Sequence, residues 1–505
     1  MNQIARTFIL IGLIVAILLA LHFLPKLYLG ETELRRVNLL SDILPEVHED
    51  DLEVIPVVPE VPQPAVTIAV PASVPGQDST KTSQPNRETV DPSLPPMPMP
   101  DSSAAAQTQE TVAVAVNDSV TDGTTPILDY SQGQPGGMYH FYQALAQVGQ
   151  LGRPVRVAYY GDSFIEGDIF TADLRELLQD QFGGNGVGWV DCASQVNGFR
   201  TTVSHHFSDI REYEVVKRPF STANQGIAQR YFTASEGARI TLKGAKVRRH
   251  LAQWDRAIFY LRTGSGMTLR TTLNGDTVVV DSVPGSQNLQ AIVRTAGYDP
   301  KDSLQRQRSM NSVSYQVNNI GSGSLLYGVA LEPVKGVVVD NFSMRGSAGY
   351  TLANIPLATL AQFAAQRPYD LIVVHFGLNV ANSRQGNYSG YAKQMGQAID
   401  HLRQAYPQAS ILVVSMPDRD QRTDAGLRTM RGVESLVGYQ QLMASEHAVS
   451  FFNLFTAMGG RESMKTLVDR GMANKDYTHI NFKGGKYLAR FLFDSMMAGY
   501  HAYGF

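Results

Sequence analysis

The chain has 505 residues, 43% of them hydrophobic, which is enough apolar material for a sizeable core and enough length for more than one domain. A formal net charge of −3 gives none of the basic excess that binding along a phosphate backbone requires, so nucleic acid is not an expected partner. Cys192 is the single cysteine, which rules out an intrachain disulfide and any multi-cysteine zinc cage; no metal and no cofactor is expected.

In chain order, residues 1–30 read as a membrane anchor. Phe8 to Leu24 is apolar except for His22, and Pro25 and Lys26 end it. Such a run is at the short end of the ~17–25 residues that cross a bilayer. It ends in bulky Leu21, Phe23 and Leu24, not in the small-x-small step of a cleaved signal, so a retained single-pass helix is expected. Orientation stays open, because Arg6 lies on one side and Lys26, Arg35 and Arg36 on the other. Residues 31–125 read as a disordered linker. Its closely spaced Pro56, Pro59, Pro62 and Pro64 remove backbone donors and favour extended, solvated chain.

Residues 126–196 and 332–505 carry the pattern of one α/β unit: a short helix near Met138, strand Val155 to Tyr160 and helix Thr171 to Phe182. The alternation then stops. Residues 197–331 show short β-type runs, Arg239 to Val247, Ala257 to Arg262, Met267 to Leu273 and Thr277 to Val283, and Asn274-Gly275 is a hairpin signal between the last two. This predicts a β-rich insertion. Strand Val337 to Asn341, helix Leu352 to Ala365, strand Leu371 to Phe376 and helix Tyr391 to Ala405 resume the pattern. Strand Ser410 to Ser415, helix Leu427 to Ser445, strand Val449 to Phe452 and a last helix from Gly484 complete it. Continuous apolar strands alternating with helices predict a doubly wound parallel sheet, whose ligands bind at the carboxyl ends of the strands.

The chemistry-bearing residues fall at those ends. Gly161-Asp162-Ser163 follows the first strand and displays a hydroxyl suited to nucleophilic attack. Asp476-Tyr477-Thr478-His479, just before the last helix, places a carboxylate and an imidazole on one turn, as a serine nucleophile's base and its orienting group require. Gly346, after the strand from Val337, and Asn379, after the strand ending at Phe376, each offer an N–H to a developing oxyanion. Taken singly, each of these motifs has a bland alternative as a turn, a helix cap or a loop cap. Their order along the chain favours the catalytic reading.

These four blocks resemble the SGNH, or GDSL-like, hydrolases over about residues 150–190 and 330–500. The resemblance implies nucleophile Ser163, base His479 and orienting Asp476, with an oxyanion hole made by Gly346, Asn379 and the Ser163 backbone N–H. Two features depart from the family pattern: Val380 stands where an aspartate commonly follows the asparagine, and the insertion separates the first two blocks. An exported SGNH domain carrying a β-sandwich at that place is similar to the peptidoglycan O-acetylesterases of Gram-negative bacteria. That likeness implies a serine esterase acting on an O-acylated envelope glycan, held at the inner membrane through residues 8–24 with its catalytic part in the periplasm, and a carbohydrate-binding insert. An O-acyltransferase on the same fold and a non-catalytic glycan-binding scaffold are the rival readings.

Other residues read less sharply. His205 and His206 point to opposite faces of a strand, so they are not expected to share a metal. His375 reads as a hydrogen-bonded core histidine. Asp418 to Arg422 is either a solvated charge run or part of the substrate rim. Tyr213, Tyr231, Trp254 and Tyr260 are either a sugar platform or sandwich packing.

Overall fold

The computed structural model describes residues 124–505, apart from 134–136, 296 and 298–308, and the two-residue strands Tyr28–Leu29 and Thr32–Glu33. The expected anchor at 8–24 and nearly all of the expected linker at 31–125 lie outside the described residues. Among the described residues no helix is long and apolar enough to cross a membrane.

The apolar runs read from the sequence assemble into a six-stranded sheet. Its strands are β1 (Ile127–Asp129), β2 (Val155–Gly161), β12 (Val337–Ser343), β13 (Leu371–His375), β14 (Ser410–Val414) and β17 (Ser450–Phe452), in the spatial order β12-β2-β13-β14-β17-β1. All pairings are parallel except that of β1, which runs antiparallel along β17 and closes that edge. Strand β2 is buried at every position, as are β13 and β14, because helices cover both faces of a parallel sheet. Pairing sets Ser343, Gly161, His375, Val414, Phe452 and Ile127 in one row along the carboxyl edge of the parallel strands.

The helices are α1 (Tyr139–Ala146), α2 (Thr171–Phe182), α3 (Leu357–Gln366), α4 (Ser389–Ala405), α5 (Gly432–Glu446), α6 (Leu454–Ala457), α7 (Ser463–Asp469) and α8 (Phe482–Ala502). Two differ from the sequence reading for local reasons. The helix expected from Leu352 is a 3₁₀ turn, Tyr350–Asn354, followed by α3, because Pro356 can start a helix but not continue one. The helix expected from Leu427 begins five residues later, because Asp420–Thr423 and Gly426–Thr429 pair as a hairpin, β15 and β16. Gly426, at φ +98°, supplies its turn.

Between β2 and β12 the chain builds a nine-stranded antiparallel sheet from β3 (Gly188–Val190), β4 (Val203–Glu214), β5 (Arg230–Gly244), β6 (Arg256–Arg262), β7 (Met267–Leu273), β8 (Thr277–Val283), β9 (Gln290–Thr295), β10 (Ser312–Asn318) and β11 (Leu325–Glu332). The sheet therefore begins at Gly188, ahead of the boundary at 197; three residues, Gly-Trp-Val, are too few to announce a strand. Asn274-Gly275 makes the β7–β8 hairpin, with Asn274 at φ +53°. One side of this sheet has its own apolar cluster around Trp254, Phe259 and Tyr315. The other side merges with the α/β core: Trp189 stacks on Tyr260 at 5.4 Å and packs against Phe342 and Phe363. Buried ion pairs cross the same seam, Arg156 and Arg367 to Glu332 and Arg367 to Asp340, at 2.7–2.8 Å. Trp254 and Tyr260 are thus core residues, and Tyr213 and Tyr231 stack on each other at 4.7 Å.

Candidate active site

Strand β2 ends at Gly161, where a Cβ would lie 2.9 Å from both the His375 carbonyl oxygen and the Ile165 side chain; only glycine lets the chain turn there. Asp162 then caps the 3₁₀ turn Ser163–Asp168, its Oδ1 accepting from the Phe164 N–H at 3.0 Å. Asn341 on β12 donates to the Ile165 carbonyl and to Thr171, both at 2.7 Å, and so holds the turn against the neighbouring strand. Ser163 is buried with its hydroxyl at the sheet's carboxyl edge.

The histidine arrives on the turn ahead of α8, where Asn481 caps the helix by accepting from Lys483 and Gly484 N–H groups. His479 Nε2 lies 3.0 Å from Ser163 Oγ, and Nδ1 lies 2.8 Å from Asp476 Oδ2. Asp476 Oδ1 accepts the backbone N–H groups of Thr478 and His479, both at 3.0 Å, which fixes the carboxylate relative to its own turn. Burial raises the Asp476 pKa, but the His479 and backbone hydrogen bonds outweigh it and hold the group down at about 2. An ionised Asp476 favours the tautomer with hydrogen on Nδ1, leaving Nε2 free to accept the serine proton. The three sequence-predicted residues are therefore joined in one chain of hydrogen bonds.

The two expected oxyanion donors come from adjacent loops. Met344-Arg345-Gly346-Ser347 forms a tight turn, closed by Ser347 N–H to the Met344 carbonyl at 3.0 Å, with Gly346 in the left-handed region at φ +79°. Asn379 is exposed on the loop after β13 and donates one amide hydrogen to the Ser347 carbonyl at 3.0 Å. Its second hydrogen is not used in that bond.

Three features of the site were not read from the sequence. Asp162 Oδ2 accepts the N–H groups of Gly377 and Leu378, at 3.3 and 3.1 Å, so the residue before Ser163 holds the loop that carries Asn379. Burial raises the Asp162 pKa to about 6, against the pull of three backbone N–H groups and His479. Next, Asp418 and Asp420 are buried rather than solvated, and Arg419 donates to the Leu378 carbonyl at 3.2 Å. Finally, a cavity of about 340 Å³ opens beside Gly346, lined by Glu166, Glu212, Glu214, Lys217, Arg230 and Arg345 among others. Arg230 pairs there with Asp191, Glu212 and Glu214, and Arg345 with Glu166. Burial raises Glu212 to about 7 despite Arg230. A Gly-Asp-Ser motif signals its aspartate; the partners of Arg419 and the cavity depend on residues far apart in the chain.

The other histidines read from the sequence fall as follows. His205 is buried with Nε2 3.3 Å from the Cys192 carbonyl and His206 is exposed, so they do not converge. His375 is buried with Nδ1 3.0 Å from the Tyr159 hydroxyl, and burial lowers its pKa to about 3, leaving it neutral. Among the described residues no group of three or more His, Cys, Asp and Glu side chains is placed to hold a metal ion.

No protein-family model and no curated protein matches the chain. Solved structures do. A structure described as "Peptidoglycan O-acetylesterase in action, 5 min" aligns with a TM-score of 0.59 at 21% identity, covering 74% of this chain and 99% of that one. A lipase/acylhydrolase from Enterococcus faecalis aligns at 17% identity over 32% of this chain and 77% of its own, with a TM-score of 0.24. A family two carbohydrate esterase from Clostridium thermocellum aligns at 11% identity over 54% and 95%, with a TM-score of 0.26. The first of these, spanning nearly the whole of its own chain, shows that this protein shares the fold of that structure.

Proposed function

We propose that the protein is a serine ester hydrolase that removes O-acetyl groups from an envelope glycan such as peptidoglycan. The observation that carries this reading is the hydrogen-bonded chain Ser163–His479–Asp476 at the carboxyl edge of the sheet, with Gly346 and Asn379 on the two loops beside it. Ser163 Oγ attacks the acetyl carbonyl as His479 Nε2 takes its proton. The resulting oxyanion is held by N–H groups of Gly346 and Ser163 and by the Asn379 amide. Collapse expels the glycan oxygen, protonated by His479, and leaves an acetyl-serine. A water molecule, deprotonated by the same imidazole, then releases acetate.

The nature of the alcohol is supported by the charged cavity beside Gly346, whose carboxylates and guanidiniums suit a polar, hydrogen-bonding leaving group and repel an acyl-lipid tail. The fold likeness to a protein described as a peptidoglycan O-acetylesterase points the same way. In this proposal the apolar run 8–24 anchors the protein in the bacterial inner membrane, with the catalytic part in the periplasm; cell fractionation with protease accessibility tests that placement.

The deciding experiment measures acetate release from O-acetylated peptidoglycan by the wild-type protein and by Ser163→Ala. Release should fall by about 10⁶-fold in the variant, since the members of a triad act as a unit. Acetyl transfer to an added glycan without net acetate release would make the protein an acyltransferase, and equal release by both proteins would defeat the serine mechanism.

A further inference from the structure

We propose that Arg419 is a positioning residue of the candidate site, tying the turn that carries Asp476 and His479 to the loop that carries Asn379. This inference rests on the esterase reading above.

The backbone of Arg419 is fixed from several sides. Its carbonyl accepts the Met430 N–H at 2.8 Å. On either side, Asp418 accepts from Thr429 Oγ1 at 2.8 Å and from the Met464 N–H at 3.0 Å, and Asp420 accepts the Lys465 N–H at 2.6 Å. The Asp420 N–H donates to the Tyr477 carbonyl at 3.1 Å, so the residue after Arg419 is bonded to the residue after Asp476. From this fixed base the side chain reaches across: Nη1 donates to the Leu378 carbonyl at 3.2 Å, next to Asn379 and on the residue whose N–H is held by Asp162. Burial lowers the Arg419 pKa, and the charge of Asp476 partly opposes that.

The arrangement answers a need of the site. Ser163 and Asn379 stand at the ends of neighbouring strands, β2 and β13, but Asp476 and His479 stand on a partly exposed turn outside the sheet. Triad chemistry tolerates little misplacement of that turn.

The test uses the full chain and a chromogenic acetate ester, comparing wild type, Arg419→Met, Arg419→Lys and Ser163→Ala for kcat, KM and melting temperature. In Arg419→Met, kcat should fall by about 10- to 100-fold with KM little changed. Arg419→Lys should recover only part of kcat, since an ammonium keeps the charge but not the planar fork that reaches Leu378. Wild-type kcat in Arg419→Met would overturn the proposal. So would a loss of activity in both variants that tracks a lowered melting temperature, which is what a merely structural role gives. Hydrolysis by the wild type no faster than by Ser163→Ala defeats the esterase reading itself, and this proposal with it.

Discussion

At the scale of single residues, the site separates groups that react from groups that hold. Asn379→Ala should lower kcat by about 10²–10³-fold with little change in KM, as loss of one oxyanion donor does, because the amide matters mainly once charge develops. A kcat within threefold of wild type, with melting temperature reduced, would instead assign Asn379 to its bond with the Ser347 carbonyl. Asp476→Asn should cost about 10⁴ in kcat by allowing the wrong imidazole tautomer. Because the Asp476 pKa is lowered in the fold to about 2, its contribution is present above the ordinary carboxylate range and is lost only as pH falls toward about 2. The acid side of the pH profile, compared between wild type and Asp476→Asn, checks this. Ser163, Asp476 and His479 were legible because each sits in a short local motif. Asp162 and Arg419 were not, because their partners, Gly377 and Leu378 for one and Leu378 for the other, are adjacent only in the folded chain.

Among the elements, the β15–β16 hairpin is where sequence reasoning went furthest astray. The run Asp418-Arg419-Asp420-Gln421-Arg422 has the composition of a solvated face, yet Asp418 and Asp420 are 0% and 5% exposed. What composition cannot show is that two backbone N–H groups at the start of α7, from Met464 and Lys465, need acceptors and find them in these carboxylates. Burial, then the neighbouring Asp418, raises the Asp420 pKa to about 6. A carboxylate whose folded pKa is raised stabilises the protein below its unfolded pKa, near 4, and that contribution is lost as pH rises through about 6. Asp420→Asn, which keeps an acceptor and removes the like charge, should raise the melting temperature at pH 8 by about 2 °C and leave it nearly unchanged at about pH 3. A drop at pH 8 would mean that the ionised pair is the stabilising form. The parallel strands, by contrast, were legible to within a residue or two, since an apolar run buried on both faces needs no knowledge of its partners.

For the whole molecule, the β-rich segment is joined to the α/β unit more firmly than an insertion read from strand patterns suggests. Trp189 and Tyr260 lie in the same apolar cluster as Phe342 and Phe363, and Glu332 at the end of β11 binds Arg156 and Arg367 within the catalytic body. Removal of residues 188–332 should therefore leave the buried Arg156 guanidinium unpaired and Arg367 with Asp340 alone, and yield insoluble protein rather than a trimmed catalytic unit. The milder Trp189→Ala should cost about 3–5 kcal/mol, measured by denaturant unfolding. Soluble, active protein after the deletion would show that the seam is dispensable. The antiparallel course of β1 bears on how the molecule answers to tension. Its first residue, Ile127, shares the row that contains Gly161, four strand spacings or about 19 Å along the sheet from β2. A pull applied ahead of Ile127 therefore acts at the rim that carries Ser163. A pull along β1 strains its rungs to Ser450, Phe451 and Phe452 together, in shear, instead of peeling them one at a time.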